Sequence, residues 1–436
     1  MKYRSRLVTV TSAVCVTGLA LAGCGAGSKT AANTATKTTC NFTNPSSPTT
    51  VNVLAYNSSA VDPFTNTMVA SCTHDNVTVK HDPIDFPGQV QKTQATLGTS
   101  NGTYDILETY GFIIPGLASE KKLKPLNEYF EKHKATYKLD GLNKDMVERM
   151  SYNGQIYAIP MQAQALTLAY RKDVFDELGL KAPTTFQEMI AAAKKIQDSG
   201  KMKSPIALPW LSSGDLGTAY VAMLGAYGKP YVDPKTKKPN FDTPESKQAL
   251  QTMASLLPYM DPQVTTFDQP KVQQQMYNGT AAMSIMFSGR MNDLTQATNS
   301  KFANSFAFAP PPAAKAGGPV YTQVSIDGWS IPYNTKLDPD LLFQIAATSV
   351  NEEASKGAVP AAYPARESAI DKSKMAYADA VQQSIEKAPP PQIQPWVAQI
   401  SNDTLPVLAK VIGGQTPADA GAQQMQAIAE KIMTKY

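Results

Sequence analysis

Tyr152-Asn153-Gly154-Gln155-Ile156-Tyr157-Ala158-Ile159-Pro160, followed closely by Leu166-Thr167-Leu168-Ala169-Tyr170-Arg171-Lys172-Asp173, decides how this chain folds. Leu166–Tyr170 is a short β-prone run. Three more precede it: Val51-Asn52-Val53-Leu54-Ala55, Val77-Thr78-Val79 and Tyr104-Asp105-Ile106-Leu107-Glu108-Thr109. Helix signals follow. Thr185-Phe186-Gln187-Glu188 reads as a capping box, with Phe186, Met189, Ile190, Ala193 and Ile196 on one face and Gly200 as the stop. Thr243-Pro244 places a capping hydroxyl before a proline at the first helical position, leading into Leu250, Met253, Leu256 and Leu257. Thr416-Pro417-Ala418-Asp419 repeats the device before a helix carrying Met425, Ile428 and Ile432. Strands alternating with helices predict α/β layers with mostly parallel sheets.

At the amino end, Lys2, Arg4 and Arg6 precede an apolar stretch from Leu7 to Ala22, which closes on Leu21-Ala22-Gly23-Cys24. A basic head, an apolar core and small residues at the end form a secretory signal segment. At ~1.5 Å per residue the stretch is too short to span a ~30 Å hydrocarbon core comfortably. Leu-Ala-Gly before Cys24 resembles the lipobox of bacterial lipoproteins, which implies cleavage before Cys24 and a lipid on its sulfur. The mature protein is therefore expected outside the cytoplasmic membrane, tethered to it. Residues 25–48, rich in Ser, Thr, Ala, Asn and Gly, read with Cys24 as a flexible tether over 24–48. Of the other cysteines, Cys15 lies in the signal, and Cys40 and Cys72 in the body. Outside the cytoplasm that pair is most simply a disulfide, worth ~3–4 kcal/mol for a loop of this length.

Removing residues 1–23 leaves roughly 410 residues, enough for two domains with proper cores. The formal net charge of the whole chain is +4; the removed segment carries three bases and no acid, so the mature chain keeps +1. That near-neutral balance argues against a nucleic-acid partner, which needs a clustered basic footprint.

Catalytic and metal motifs are missing. The three histidines, His74, His81 and His133, lack metal-ligand spacing. Phe287-Ser288-Gly289 is the nearest approach to a nucleophile elbow and lacks its first glycine. No phosphate-cradling loop occurs, so neither a cofactor nor a metal is expected. A glycosidase built on two carboxylates is the one enzyme class left open. The three tryptophans instead suggest binding. Trp210 lies in Leu208-Pro209-Trp210-Leu211-Ser212-Ser213-Gly214, Trp329 in Ile326-Asp327-Gly328-Trp329-Ser330, and Trp396 after Ala388-Pro389-Pro390-Pro391-Gln392-Ile393-Gln394-Pro395. Loop-like tryptophans beside carboxylate, amide and hydroxyl groups suit a sugar, the ring covering its C–H face.

From about Val51 to its end the chain resembles the extracellular solute-binding proteins of ABC importers, the family that includes maltose-binding protein. Tyr152–Pro160 with Leu166–Asp173 is similar to the family's "NGKIYAIP…ALSLIYNKD" crossover between lobes. Tyr104-Asp105-Ile106-Leu107 is similar to its "PDII" strand, Tyr277-Asn278-Gly279-Thr280-Ala281-Ala282-Met283 to "FNKGETAM", and Ile326–Pro332 to the "GGWxxxIP" return segment. The resemblance implies a two-lobed periplasmic-binding-protein fold (type II) with its ligand cleft between discontinuous lobes, 49–162 plus 327–364 and 165–324 plus 368–436. It implies ligand-facing positions at Tyr56, Glu108, Tyr110, Gln162, Gln164, Trp210, Ser212, Ser288, Arg290, Asp327, Trp329, Tyr363, Arg366 and Trp396. Gln164 stands where the family carries a ligand-binding glutamate, and Ser288 with Arg290 replaces the stacking "GPWAW" loop. Tyr56, Tyr363 and Arg366 equally fit packing at the lobe interface, and Gln162 and Gln164 fit satisfying crossover backbone groups. The implied task is capture of a mono- or oligosaccharide by a monomer, which then docks on ABC permease subunits. A sensor presenting bound sugar to a receptor is an alternative. So is a carrier of a cationic solute, which requires Glu108 and Asp327 to converge without a basic partner.

Overall fold

The computed structural model describes residues 35–436. The signal segment, Cys24 and the first part of the expected tether lie outside the described residues. Among the described residues there are ten strands: β1 (Thr49–Leu54), β2 (Val77–His81), β3 (Ile106–Tyr110), β4 (Ser151–Tyr152), β5 (Gln155–Ile156), β6 (Ile159–Arg171), β7 (Ile206–Ala207), β8 (Met283–Phe287), β9 (Phe306–Ala309) and β10 (Val324–Ser330). Eight of them form one sheet in the order β2-β1-β3-β10-β6-β8-β7, with β9 also on β6. β4 and β5 form a separate hairpin. Its turn is Asn153-Gly154, both at positive φ, the pair that a two-residue turn matching strand twist demands.

β6 organises the molecule. Its first half, Ile159–Ala165, pairs with β10, and its second half, Leu166–Arg171, pairs with β8 and β9. β10 runs back, antiparallel to both β6 and β3. A third crossing lies on the other edge of β6, where Pro364 bridges Gln162 and Ala163 N–H donates to the Tyr363 carbonyl at 2.9 Å. Among the strands of the described residues, the parallel pairs are β1 with β2, β1 with β3, and β7 with β8. The sheet is mixed rather than mostly parallel because the chain leaves one lobe along β6 and returns along β10, and such strands must oppose each other.

Apolar packing separates into two lobes. One core gathers Val53, Phe64, Met68, Ile106, Phe130, Met161, Trp329 and Phe343, drawing on chain before β6 and on the return segment. The other gathers Leu168, Met189, Trp210, Tyr220, Met253, Ile285, Ile400 and Met425. A smaller cluster with Ala165, Met286, Met291, Met375 and Tyr377 fills the junction.

Helix starts follow the sequence signals with one exception. The Thr185 hydroxyl accepts from Glu188 N–H at 3.2 Å, while the Glu188 carboxylate reaches back to Thr184 N–H at 2.7 Å. Thr243 caps helix Pro244–Leu256. At the last helix, Ala418–Met433, Pro417 takes the capping position and the expected hydroxyl cap does not form.

The expected tether is corrected from residue 35 onward. Thr36 N–H donates to the Thr67 hydroxyl at 2.9 Å and Thr38 N–H to the Ser71 hydroxyl at 3.0 Å, both on helix Asp62–Cys72 (α1). Cys40 and Cys72 are disulfide-bonded. Phe42 stacks on His74 at 4.6 Å, and the Tyr137 hydroxyl donates to the Asn41 carbonyl at 2.9 Å. Composition argues for a free chain, but regularly placed Thr and Ser hydroxyls on α1 satisfy its backbone. The segment is a strap on the first lobe.

Candidate functional site

Where β1 and β3 end, the sheet delivers polar side chains to one place. Alternation puts Glu108 and Tyr110 on one face of β3, Gln162 and Gln164 on one face of β6, and Ser325 and Asp327 on one face of β10. The register sets Asp327 opposite both Tyr110 and Gln162, and Ser325 opposite Gln164. Gln162 Nε2 donates to Asp327 Oδ2 at 3.1 Å, and Gln164 Nε2 donates to the same oxygen. Ser325 Oγ donates to Asp327 Oδ1 at 2.9 Å. Gln164 Nε2 also reaches the Tyr56 hydroxyl at 3.4 Å, and Tyr56 N–H donates to Glu108 Oε2 at 3.1 Å. Glu108, Gln162 and Asp327 are at most 1% exposed.

The second lobe closes directly over this cluster. Ser288 Oγ accepts from Ala165 N–H at 3.2 Å. A Cβ on Gly289 would meet Gln164 Oε1 at 2.6 Å and the Ala60 methyl at 2.9 Å, so only glycine admits this approach. Arg290 Nη1 donates to Gln273 Oε1 at 3.3 Å, and its charge acts on the Tyr56 phenol. Asp215 accepts from Gln269 at 3.3 Å.

Burial makes every acid here hard to ionise. It lifts the Glu108 carboxyl well above its usual range, and the negative charge of Asp327 lifts it further. Burial pushes Asp327 up to about 6 against its three side-chain donors, Asp62 up to about 6, and Asp215 up to about 7. Tyr56 and Tyr110 are raised, first by burial and then by Glu108. Three acceptor oxygens, Glu108 Oε1, Gln162 Oε1 and Asp62 Oδ2, are buried without a donor. Such atoms cost about 1–3 kcal/mol each, so the cluster is built to receive donors.

An aromatic rim adjoins the acids. Tyr56 meets Phe86 edge-on at 5.6 Å, Phe86 meets Tyr110 at 5.7 Å, and Tyr110 stacks on Phe112 at 5.8 Å. Phe86 opens helix Phe86–Gly98 (α2), whose Asp85 cap accepts from Gly88 N–H at 2.9 Å, and it stays 45% exposed. Neither Phe86 nor Phe112 was expected. The available signal was Asp85-Phe86-Pro87, a helix start just after β2 and hence at the sheet's carboxyl end. On the opposite side of β10, Val324 and Ile326 face an open groove also lined by Phe112, Arg149, Val221 and Pro390.

Six expected ligand positions fall outside the cluster. Trp210 is fully buried in the second core beside Tyr321. Trp329 is buried in the first core, and Trp396 packs edge-on against Tyr436 at 5.4 Å. All three rings fill core volume. Arg366 donates to three backbone carbonyls, Val350 at 2.7 Å, Lys138 at 2.9 Å and Tyr137 at 2.6 Å, which ties off two helix ends. Tyr363 serves the third crossing through its carbonyl. Ser212 is exposed on a turn whose N–H binds the Thr265 carbonyl at 2.9 Å. These loops turn their large residues inward, while the buried polar cluster is built from strand ends.

Two discontinuous α/β lobes, joined by three crossings and closed over a buried polar cluster, define a type II solute-binding fold. The chain belongs to the bacterial extracellular solute-binding protein family, whose model matches residues 70–348. It is 27% identical over 227 residues to a mannitol-binding protein of Pseudomonas aeruginosa, covering 50% of this chain and 51% of that one. Over 165 residues it is 27% identical to a maltotriose-binding protein of Pyrococcus abyssi, covering 37% and 33%. The chain thus spans about half or less of the curated relatives it matches. An ABC transporter solute-binding protein from Agrobacterium vitis, solved with D-mannitol, superposes with TM-score 0.75 at 22% identity, covering 88% of this chain and 98% of that one. One from Agrobacterium radiobacter in complex with ribitol gives 0.79 at 19%, covering 89% and 100%. These structures share the fold. Among the described residues no helix is long and apolar enough to cross a membrane, and no His, Cys, Asp and Glu group could hold a metal.

Proposed function

We propose that this chain is the capture subunit of an ABC importer for a small sugar or polyol, held outside the cell membrane by a lipid on Cys24. The ligand-facing set is Tyr56, Glu108, Tyr110, Gln162, Gln164, Ser288, Arg290 and Asp327, extended by Phe86 and Phe112. One observation carries the reading: buried acceptor oxygens without donors, on Glu108 and Gln162, lie near an aromatic rim at the point where the second lobe meets the first. Hydroxyl groups donate to such acceptors while C–H faces cover the rings. The mannitol- and ribitol-bound relatives support a ligand of that size. Opening of the lobes about β6, β10 and the third crossing admits it, and closure buries it. The loaded closed form is then read by permease subunits.

A thermal-shift screen of the mature protein against mannitol, ribitol, maltose and related solutes tests this. Ligand at a hundredfold excess over Kd stabilises by about 2.7 kcal/mol. A shift that disappears in Gln164→Ala supports the assignment; no shift with any sugar or polyol refutes it.

A further inference from the structure

The floor of the site is acidic beyond what its own side chains balance. Asp327 on β10 lies close enough to Glu108 on β3 for its charge to oppose ionisation of Glu108. Their direct partners are neutral: Gln162, Gln164 and Ser325 side chains and the Tyr56 backbone N–H. Asp62 on α1 adds a third buried carboxylate, held at Oδ1 by Asn57 at 3.1 Å and Ser58 N–H at 3.2 Å, with Oδ2 lacking a donor. Tyr110 and Tyr56 bring only phenols, which burial keeps neutral. From the second lobe come Arg290 and Asp293, of opposite sign. Arg290 acts on Tyr56 and donates to Gln273, while Asp293 acts on Asp62 and accepts from Gln273 at 3.2 Å. The first-lobe carboxyl groups therefore outnumber the bases that face them, and without a countercharge burial holds them toward the neutral form.

A neutral polyol would donate hydrogen bonds to these oxygens but leave the carboxyl groups without a countercharge. A protonated amine supplies donors and charge together, and a buried carboxylate gains most from a charged partner. We infer that the ligand is a sugar or polyol bearing a protonated amine, seated on Glu108 Oε1, Gln162 Oε1 and Asp327. This rests on the interlobe cluster being the ligand site and adds the charge of the ligand to it.

Matched pairs that differ only in the amine test it: D-glucitol against 1-amino-1-deoxy-D-glucitol, and D-glucose against D-glucosamine, titrated calorimetrically into the mature protein at pH 7.5 and pH 5. The amine of at least one pair is expected to bind tenfold or more tightly than its neutral twin at pH 7.5. That preference should shrink several-fold at pH 5, where Asp327 is protonated in the buried site. Glu108→Gln should narrow the gap between amine and neutral twin several-fold, and the wild-type pH comparison stands even if that variant folds poorly. Equal or tighter binding of the neutral twins, or a preference that ignores pH, overturns the inference and leaves the sugar-site reading intact. Silence from every sugar, polyol and amine refutes both.

Discussion

Gly289 is the point where the second lobe touches the first, and enlarging it should act on closure alone. A Cβ would stand 2.6 Å from Gln164 Oε1, an amide already committed to Asp327 and Tyr56, and 2.9 Å from the Ala60 methyl. Neither neighbour can retreat cheaply. The Gly289 backbone lies outside the left-handed region, so a side chain strains nothing once the lobes part. Overpacking of this kind costs about 1–3 kcal/mol, and Gly289→Leu belongs at the upper end. Because the cost falls on the closed form, affinity should drop by roughly 5- to 150-fold. Calorimetric titration with the tightest member of a sugar and polyol panel reads the loss. Small-angle scattering on the same samples should show the variant staying extended at ligand concentrations that compact the wild type. Melting without ligand should change by less than about 2 °C. Full affinity and normal compaction in Gly289→Leu would refute closure of this loop onto Gln164.

Arg366→Met should strip three carbonyls of their donors and lower stability by about 3 kcal/mol, read by denaturant melts, while the folded variant binds ligand normally. Reducing Cys40–Cys72 should cost ~3–4 kcal/mol and expose the strap around Thr36–Phe42 to protease, seen as a new cleavage by mass spectrometry. Asp327 has a folded value of about 6 against an ordinary 3.8, so the folded state binds its proton more tightly. Its contribution is favourable below the ordinary value and is lost as pH rises from about 4 through 6. Asp327→Asn should therefore gain on the wild type by about 2–3 kcal/mol between pH 4.5 and 7.5, measured by paired melts. Phe86→Ala should weaken ligand binding several-fold, whereas Trp396→Phe should leave it unchanged; the reverse pattern would return the tryptophan to the cleft.

The crossover was legible through its resemblance to the family's crossover segment, and the structure shows its local basis: a turn at Asn153-Gly154, both at positive φ, then a β-prone run that continues as β6. β6 came out longer than Leu166–Tyr170 since Ile159–Ala165 pairs only once β10 returns, a partner more than 150 residues away. Glu108, Gln162, Gln164 and Asp327 came from the family resemblance, and alternation along β3, β6 and β10 explains why they share a face in the structure. The placement of the tryptophans was not legible. Whether a ring in a loop points outward or into the core depends on packing partners such as Tyr321 and Tyr436, which no local pattern reveals. Arg366 failed for the same reason: its three acceptors are helix-end carbonyls assembled from distant segments. The strap escaped notice because its anchors are hydroxyls on α1, and Ser and Thr read identically in a loose linker and in a docked one.

Direct titration of the mature protein with sugars and polyols, wild type beside Gln164→Ala and Asp327→Ala, bears most closely on the interlobe cluster as the capture site. One ligand should bind the wild type at one-to-one stoichiometry, and both variants should lose it at least tenfold while melting as folded proteins. Unaltered affinity in both variants would place the ligand elsewhere and contradict the site.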